Sequence, residues 1–510
     1  MQEHILPSCS SSGSATFHLV DSNTVMPHAG LMMPSSTARC ALLRSALTVF
    51  VVQLGTAAAQ TAAGECGSAA IAVGSYTSVS WIPEASGEGV TLLDLELCNT
   101  QGILSGTIVE SGLIPTTKTG ENPSYCDQVD ASTIICANEN PEGTATMVGT
   151  DSTATSQTID LDVPRPTHIS VLDNGIVATA NFGGSFGTFM PSAGSDSVVQ
   201  TITVPDNGRA PHPHMILQTG PDEIIVTDVG TDAVYQYSVA QDGSLTETGV
   251  TTLPADSGPR HAALGKGDKV YVAAEKTLQI MELSSNCTEG AEGTARGICG
   301  FKQLTETLNG TTFQNIAAIR VSKDQGFVYA SLREDADGAF GGIAGLKLSA
   351  DGSLGDPVAT STSGGKTPRD MNLVDVPGFK EVFVVANRKS DTVVVFDRDE
   401  TTGEVGGQLA SASVNTPASI LALGGDDEVA MVASAPAPAA ASSPSDADEA
   451  APAEVTAADG ATSEDQSETR GGDLSTSEVE GAAAPLPSGA AARTFQGVLA
   501  VAGTLFIALM

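Results

Sequence analysis

The chain alternates short runs of β-branched and small apolar residues with polar turns, and one such phrase recurs along most of its length. The clearest copy opens with Gly258-Pro259-Arg260-His261, turns at Gly265-Lys266-Gly267-Asp268 and ends with Ala273-Ala274-Glu275. Each copy predicts two short strands, with a polar group opening the first and another closing the second. With proline or its equivalent as the marker, seven copies start at 123, 166, 213, 259, 318, 368 and 417, a period of roughly 43 to 59 residues.

This period predicts an all-β fold, the β-propeller, in which four-stranded blades surround a central channel. Seven copies predict seven blades, and we place the propeller at about 69–435. Asp242-Gly243 and Asp351-Gly352 are expected to be hairpin turns that lead into outer strands. An early strand at 70–76 would complete the final blade, which leaves no sheet edge open.

The segments outside the predicted propeller have the composition of targeting and spacer sequences. Residues 1–60 form a leader in which basic residues precede an apolar core at about 46–59, as in a secretory signal. A membrane anchor is the alternative, although this core is shorter than the ~20 residues of a span. Residues 436–490 are rich in Ala, Pro, Ser and acidic residues and predict a disordered stalk.

The apolar tail at 491–510 is typical of a signal for a GPI-type lipid anchor, with a membrane span as the alternative. Together with the leader, it predicts a secreted protein that is anchored at the cell surface. Two acceptor motifs for asparagine-linked glycosylation, at Asn286 and Asn309, agree with this route.

The cysteines that follow the leader are even in number, which is typical of disulfides in secreted proteins. They are Cys66, Cys98, Cys126, Cys136, Cys287 and Cys299. The second pair falls on neighbouring strands of one predicted hairpin, and the third would close a loop inserted in the fourth copy, which leaves the first two to pair with each other. No pair has the spacing of zinc ligands, so we expect neither a metal nor another cofactor.

The formal net charge is −37, from 23 Lys and Arg against 60 Asp and Glu. So acidic a surface excludes nucleic acid as a partner, because binding to phosphates needs an excess of positive charge. Mutual repulsion also keeps copies of an acidic chain apart, and we expect a monomer.

The polar residues at the two ends of each hairpin are candidates for a functional site. Antiparallel strands joined by a tight turn place the start of the first strand beside the end of the second. All seven innermost hairpins would therefore bring polar side chains to one mouth of the channel, the default location for an active site. The predicted set is His168, Asn181, His212, His214, Asp228, Arg260, Glu275, Arg333, Arg369 and Asn387.

Two features refine this set. Asn138, Asn181 and Asn387 end their strands, so capping of the backbone is an alternative role for them. Arg260 and His261 are consecutive and should point to opposite sides of a strand, with Arg260 facing the channel.

Several phrases resemble the seven-bladed lactonase family, which includes propeller-type 6-phosphogluconolactonases and fungal 3-carboxymuconate cyclases. The resemblance covers about 70–432. Its most specific pieces are Val73-Gly74-Ser75-Tyr76-Thr77, Glu121-Asn122-Pro123-Ser124-Tyr125, Ala180-Asn181-Phe182-Gly183-Gly184, His212-Pro213-His214, Gly258-Pro259-Arg260-His261 and Gly365-Lys366-Thr367-Pro368-Arg369-Asp370. It implies a site of His214, Arg260, Glu275 and Arg333. The chain departs from the family pattern at Ala318, Arg320 and Leu332.

The resemblance and the charged set predict hydrolysis of a lactone of a sugar acid or another anionic compound. His214 or Glu275 would act as the general base, and Arg260 and Arg333 would bind the oxyanion. Arg369 would make a second contact with the anion, with His212, Asn181, Asp228 and Asn387 as further substrate contacts. The alternative is a non-catalytic surface propeller that binds a partner or matrix component.

Overall fold

The computed structural model describes residues 65–424, except 81, 152–154, 192–197, 306 and 335–339. The described chain forms seven antiparallel sheets, which confirms the predicted seven-bladed β-propeller. The predicted leader, stalk and tail lie outside the described residues, as does the end of the predicted propeller at 425–435. No helix within 65–424, masked positions aside, is long and apolar enough to cross a membrane.

The strands follow one another in blade order, with the first strand of each blade innermost in blades 1 to 4 and 6, and the second strand innermost in blade 5. The chain begins with β1 (Glu65–Ser75), β2 (Gly89–Thr100), β3 (Ile103–Pro115) and the one-turn helix α1 (Thr116–Thr119). Blade 1 contains β4 (Pro123–Asp130), β5 (Thr133–Asn138), β6 (Thr144–Gly149) and β7 (Ser156–Asp160). Blade 2 contains β8 (Pro166–Val171), β9 (Val177–Asn181), β10 (Ser185–Phe189) and β11 (Val198–Thr203).

Blade 3 contains β12 (Pro213–Gly220), β13 (Glu223–Asp228), β14 (Ala233–Val239) and β15 (Leu245–Thr252). Blade 4 contains β16 (Pro259–Leu264), β17 (Val270–Ala274), β18 (Gln279–Ser284) and, after the short β19 (Ala291–Gly293), β20 (Gly297–Gln303). Blade 5 contains β21 (Thr307–Leu308), β22 (Thr311–Val321), β23 (Phe327–Glu334), β24 (Gly342–Leu348) and β25 (Leu354–Thr362). Blade 6 contains β26 (Pro368–Asp375), β27 (Glu381–Asn387), β28 (Thr392–Arg398) and β29 (Val405–Ser413), and β30 (Pro417–Leu423) follows.

Blade 7 joins the two ends of the described chain. β30 is its innermost strand and pairs with β1, which is followed outward by β2 and β3. The predicted closure by an early strand is therefore correct, but three early strands take part rather than one. β1 also begins at Glu65, before the predicted start at 69. This closure removes the open edge that a linear array of blades would expose.

The apolar side chains pack between neighbouring blades. Seven separate clusters of buried residues fill the seven interfaces, one for each pair of adjacent blades. Ile71, Leu95 and Val384, for example, pack between blades 6 and 7. Because these faces bury the aliphatic positions, the residues that face the axis do not have to build the core and can be polar.

The innermost strand of every blade carries a β-bulge, which directly follows the marker in six blades. In blade 5 the bulge lies at Ala317-Ala318, and Ile316 rather than the predicted marker at 318 is equivalent to the prolines. In blade 1, Pro123 pairs with Asn138 and Tyr125 pairs with Ala137, which leaves Ser124 as the extra residue. We call the equivalent residues of the seven blades the bulge ring. It consists of Ser124, Thr167, His214, Arg260, Ala317, Arg369 and Ala418. Since a bulge interrupts the strict alternation of a strand, it re-aims the side chains at this point.

The three predicted disulfides are present. Cys66–Cys98 links β1 to β2, Cys126–Cys136 links β4 to β5, and Cys287–Cys299 closes the insertion in blade 4. Within that insertion, β19 pairs with β15 and so adds a fifth strand to blade 3. The insertion thereby covers an outer edge that would otherwise be unpaired.

Closure by β30 leads to a prediction on truncation. A chain that ends at Asn415 lacks β30, so blade 7 loses its innermost strand and Ile420 leaves the core between blades 6 and 7. We expect this chain to lose cooperative unfolding in urea, monitored by far-ultraviolet circular dichroism. A chain that ends at Gly424 keeps β30 and is the control, with a midpoint within error of the full-length protein. Equal midpoints for both truncations would contradict the closure.

Candidate active site

Mostly polar side chains form a second ring beside the bulge ring. In six blades, one backbone N–H at the end of the second strand donates to the carbonyl of the residue just before the marker, as Glu275 N does to Gly258 O at 2.8 Å. In the remaining blade, blade 5, Arg333 pairs with Asn315, the residue before Ile316. We call these equivalent residues the mouth ring. It consists of Tyr76, Glu139, Phe182, Val229, Glu275, Arg333 and Arg388.

Glu275 lies between two arginines from the two rings. Its Oε2 is 3.4 Å from Nε of Arg260, and its Oε1 accepts a hydrogen bond of 2.8 Å from Nη2 of Arg333. Arg260 is almost completely buried, at 2% exposure, and Nη1 also donates to the carbonyl of Ala317. Nη2 of Arg333 also donates to the carbonyl of Ile316 at 3.3 Å. One carboxylate thus serves two guanidinium groups, which leaves an excess of positive charge.

A second buried group links the first and last parts of the chain across the mouth. The Tyr76 hydroxyl donates to Oε2 of Glu139 at 2.8 Å and accepts hydrogen bonds from Nε and Nη2 of Arg369 at 2.9 and 2.6 Å. Burial, together with the neighbouring carboxylate, raises the pKa of Tyr76 to about 12. The phenol therefore keeps its proton at neutral pH, and its hydroxyl bridges Arg369 and Glu139 by hydrogen bonds.

The clustered arginines create a strong positive potential. Burial, and then repulsion from Arg369 and Arg333, lowers the pKa of Arg260 to about 9. Burial also lowers the pKa of Arg333. An anion that enters this environment stabilises the guanidinium groups electrostatically. The cost of their desolvation and of their mutual repulsion has already been met by the folded structure. The mouth is therefore suited to an anionic ligand or to an oxyanion that forms during a reaction.

A layer of histidines lies next to the arginines. The ring centroids of His214 and His261 are 5.2 Å apart, and those of His168 and His261 are 6.1 Å apart. Tyr125 packs on His168 at 4.1 Å. Burial, followed by repulsion from arginines, lowers the pKa of His168 to about 3 and places the pKa values of His214 and His261 well below the ordinary range. All three rings are neutral at physiological pH and can accept a proton or a hydrogen bond.

The prediction that Arg260 and His261 point to opposite sides of their strand is wrong. Arg260 contacts Glu275 of its own blade, while the His261 ring lies against histidine rings from blades 2 and 3. Both side chains face the channel because the bulge between Pro259 and Ala262 breaks the alternation that the prediction assumed.

Several predicted substrate contacts bond to nearby protein groups. Oδ1 of Asp228 accepts the backbone N–H groups of His212, Gly230 and Thr231. Nδ2 of Asn387 donates to the Ser363 carbonyl, as Nδ2 of Asn138 does to Thr119. Nδ2 of Asn181 donates to the Ser185 hydroxyl. These bonds stabilise the strand ends, and a role of Asn181, Asp228 or Asn387 in substrate binding stays a prediction.

His212 lies at the rim, stacked on Phe182 with ring centroids 4.2 Å apart. Its Nδ1 donates to the Phe182 carbonyl at 2.8 Å. This pair forms an aromatic wall beside His214, whose ring meets Phe182 edge-on at 6.2 Å. The site thus has an aromatic side and a charged side.

The residues at which the chain departs from the family pattern have separate positions. Ala318 and Leu332 are fully buried in the apolar clusters on either side of blade 5. Arg320 makes an ion pair with Asp370 at 3.0 Å and a hydrogen bond with Asn372 at 3.2 Å. Arg320 also contributes to the low pKa of His168, so it adds to the positive charge around the histidines.

The sequence prediction missed Tyr76, Glu139 and Arg388. Glu139 directly follows Asn138, and Arg388 directly follows Asn387, so each lies one residue beyond the position that was taken as the strand end. Tyr76 comes from the first strand and reaches the mouth only when blade 7 closes. The signal for Glu139 and Arg388 was the position of Glu275 itself, one residue beyond the partner of its marker.

Comparison with known proteins agrees with this architecture. The sequence profile of the family described as lactonase, 7-bladed beta-propeller, matches residues 70–422. A 6-phosphogluconolactonase of Bacillus subtilis (strain 168) is 27% identical over 315 residues, which cover 58% of this chain and 85% of that protein.

Two solved structures share the fold. The periplasmic gluconolactonase of Pseudomonas aeruginosa superposes with a TM-score of 0.57 at 22% identity, over 70% of this chain and 99% of that chain. A protein from Lactobacillus plantarum superposes with a TM-score of 0.57 at 24% identity, over the same shares of the two chains. At these identities the two structures support the propeller fold alone.

The buried histidines predict how stability depends on pH. The folded pKa of His168 is about 3 against about 6.5 in the unfolded chain, so the unfolded chain binds protons more readily below pH 6.5. The free energy of unfolding should therefore fall with pH from about 6.5 downward, by up to about 1.4 kcal/mol per pH unit for each such histidine. Urea titrations between pH 7 and pH 4 measure this slope.

The variant His261→Gln removes one of these histidines. The slope of the unfolding free energy against pH should therefore be smaller by about 1.4 kcal/mol per pH unit, the value for one proton. His212→Gln, at the half-buried rim, is the matched control. If His261→Gln and the wild type lose stability in parallel, the histidine layer does not control the acid response.

Proposed function

The chain belongs to the seven-bladed β-propeller lactonase family, and we propose that it hydrolyses a lactone of a sugar acid or another anionic compound at the channel mouth. One observation carries this proposal: Arg260, which is buried, and Arg333, which is half-buried, share Glu275 as their carboxylate, beside the neutral imidazole of His214. Two guanidinium groups with one carboxylate suit a reaction in which a carbonyl oxygen gains negative charge.

The two sides of the mouth match the two parts of such a substrate. The charged side, with Arg260, Arg333 and Arg369, would attract the acidic group and the carbonyl oxygen. The aromatic side, with Phe182 and His212, would face the ring of the lactone. The name of the Bacillus subtilis relative, 6-phosphogluconolactonase, supports a sugar-acid lactone as the substrate class.

The proposed reaction needs one water and no redox partner. The water oxygen forms a bond to the lactone carbonyl carbon while His214 accepts a proton from the water. Arg260 and Arg333 donate hydrogen bonds to the oxyanion of the tetrahedral intermediate. The bond between this carbon and the ring oxygen then breaks, and the ring oxygen takes the proton from His214. The product is an open-chain hydroxy acid.

The geometry favours His214 over Glu275 as the base. Both carboxylate oxygens of Glu275 are engaged by arginines, so its role is to position Arg260 and Arg333. Nδ1 of His214 has no hydrogen-bond partner among the described residues. Besides burial, Arg260 and Arg369 hold the pKa of His214 low. An anionic substrate would offset their charge and make His214 a stronger base in the complex.

We also propose that the propeller works outside the cytoplasm, anchored at the cell surface. The support is the set of three disulfides, which is typical of oxidising compartments, and the composition of the leader and tail. Asn286 and Asn309, the two glycosylation acceptors, are both exposed.

The proposed function is tested with a panel of lactones and four proteins. Arg260→Ala removes an oxyanion donor and should lower kcat by about 10²–10³. Glu275→Gln keeps the volume but releases the arginines, and should lower kcat by a similar factor. Initial rates of acid release, corrected for spontaneous hydrolysis, measure the effect.

Arg209→Ala is the matched control, because Arg209 is 37% exposed and pairs with Asp232 and Asp256 outside the site. Melting temperatures of all four proteins separate a loss of chemistry from a loss of fold. Full activity in Arg260→Ala would refute the assignment of this site. A protein that hydrolyses no lactone but binds cell-wall material would instead favour the non-catalytic alternative.

A further inference from the structure

Arg388 differs from the other arginines of the mouth in the origin of its partner. It belongs to the mouth ring, in the position that Glu275 and Arg333 occupy in blades 4 and 5. Its Nη2 is 3.0 Å from Oε1 of Glu84, which lies in the loop 77–88 rather than in either ring. Glu84 is the ion-pair partner of Arg388 among the described residues. The Nε atom of Arg388 has no hydrogen-bond partner among them.

The loop that carries Glu84 is fixed on both sides of this residue. Oδ1 of Asn122 accepts the N–H groups of Thr77 and Ser78 at 2.8 and 2.9 Å. Oγ1 of Thr416 accepts those of Ser86 and Gly87 at 3.1 and 3.0 Å. These bonds anchor the backbone on either side of Glu84 near Arg388, while the Glu84 side chain itself is 38% exposed.

The pair between Glu84 and Arg388 is suited to exchange. An ion pair that is partly exposed contributes only about 0–1 kcal/mol, since solvent screens it. An incoming carboxylate or phosphate that bonds to a guanidinium through two parallel hydrogen bonds can replace such a partner. By contrast, Arg369 has its Nε and Nη2 committed to the buried Tyr76 hydroxyl, so Arg388 is the more available of the two arginines near that ring.

Arg388 also lies within electrostatic reach of the proposed reaction centre. Its guanidinium carbon is 6.0 Å from the centroid of the Tyr76 ring, and that of Arg369 is 5.3 Å from the same centroid. Its charge, after larger contributions, helps to lower the pKa of Arg333. A ligand at Arg333 would therefore have Arg388 on the same side of the mouth.

We propose that Arg388 is a subsite for a second acidic group of the substrate, and that Glu84 occupies it until that group arrives. The substrate would then be a lactone with a carboxylate or phosphate apart from its lactone carbonyl. Glu84 acts as an internal competitor, which sets how strongly anionic lactones are preferred to neutral ones. This inference rests on the proposed function, because it places the lactone carbonyl at Arg260 and Arg333.

The kinetic test compares an anionic lactone with a neutral one, for example glucarolactone and gluconolactone, on the full chain. The readout is the ratio of kcat/KM for the two. Glu84→Gln removes the competitor and should raise the ratio two- to fivefold, the value of an exposed ion pair. Arg388→Gln should lower it about tenfold or more, as for loss of a charged hydrogen bond. The double variant should behave as Arg388→Gln.

Arg209→Gln is the matched control, since it changes the charge by the same amount at an arginine that pairs with Asp232 and Asp256, which belong to neither ring, and it should leave the ratio unchanged. A ratio that does not respond to Glu84→Gln, or responds as much to Arg209→Gln, would overturn the inference. So would an Arg388→Gln variant that loses both activities equally.

Calorimetric titration with the two acids, glucarate and gluconate, separates this inference from the proposed function. We expect Glu84→Gln to tighten glucarate binding and Arg388→Gln to weaken it, relative to gluconate. If no lactone is hydrolysed but these shifts appear, the proposed function fails and the anion subsite stands. If hydrolysis occurs through Arg260 while neither variant shifts glucarate binding, the subsite fails and the proposed function stands.

Discussion

Buried positive charge at one end of the channel is the constraint on which the site depends. Arg260 and Arg333 cannot stay desolvated without a carboxylate, and Glu275 supplies one for both. Arg369 is held in turn by Tyr76 and Glu139. The fold thus assembles more guanidinium than carboxylate groups, in a place where both are shielded from water. This imbalance leaves an excess of positive charge at the mouth, in a protein whose formal net charge is −37.

The β-bulge is the local device that makes this assembly possible. A regular strand would send His261 away from the channel, and it would place fewer polar side chains at the axis. In blade 4 the bulge lets the consecutive residues Arg260 and His261 both face the channel, and the packing between blades is preserved. The same irregularity occurs in blades such as blade 7, where it carries Ala418. The bulge therefore belongs to the repeat, and chemistry depends on which side chain occupies it.

Much of the fold follows from the sequence, because the repeat is local. The spacing of the markers predicts the seven blades, and Cys126 and Cys136 predict a paired hairpin from their positions alone. The site is only partly predictable. Alternation gave the wrong direction for His261, since a bulge is visible only in the pairing of strands. Tyr76 could not be placed beside Arg369, because 293 residues separate them and only closure of blade 7 brings them together.

The most direct test of the account is a crystal structure of the full chain with a bound aldonic acid, the product of the proposed reaction. We expect the product carboxylate to lie within hydrogen-bonding distance of the guanidinium groups of Arg260 and Arg333, beside His214. A cavity of about 400 Å³ on the outer side of blade 4, lined by Phe301, Lys302 and Asn286 among others, offers a contrasting location. Product bound there, with an unoccupied channel mouth at saturating concentration, would contradict the central claim.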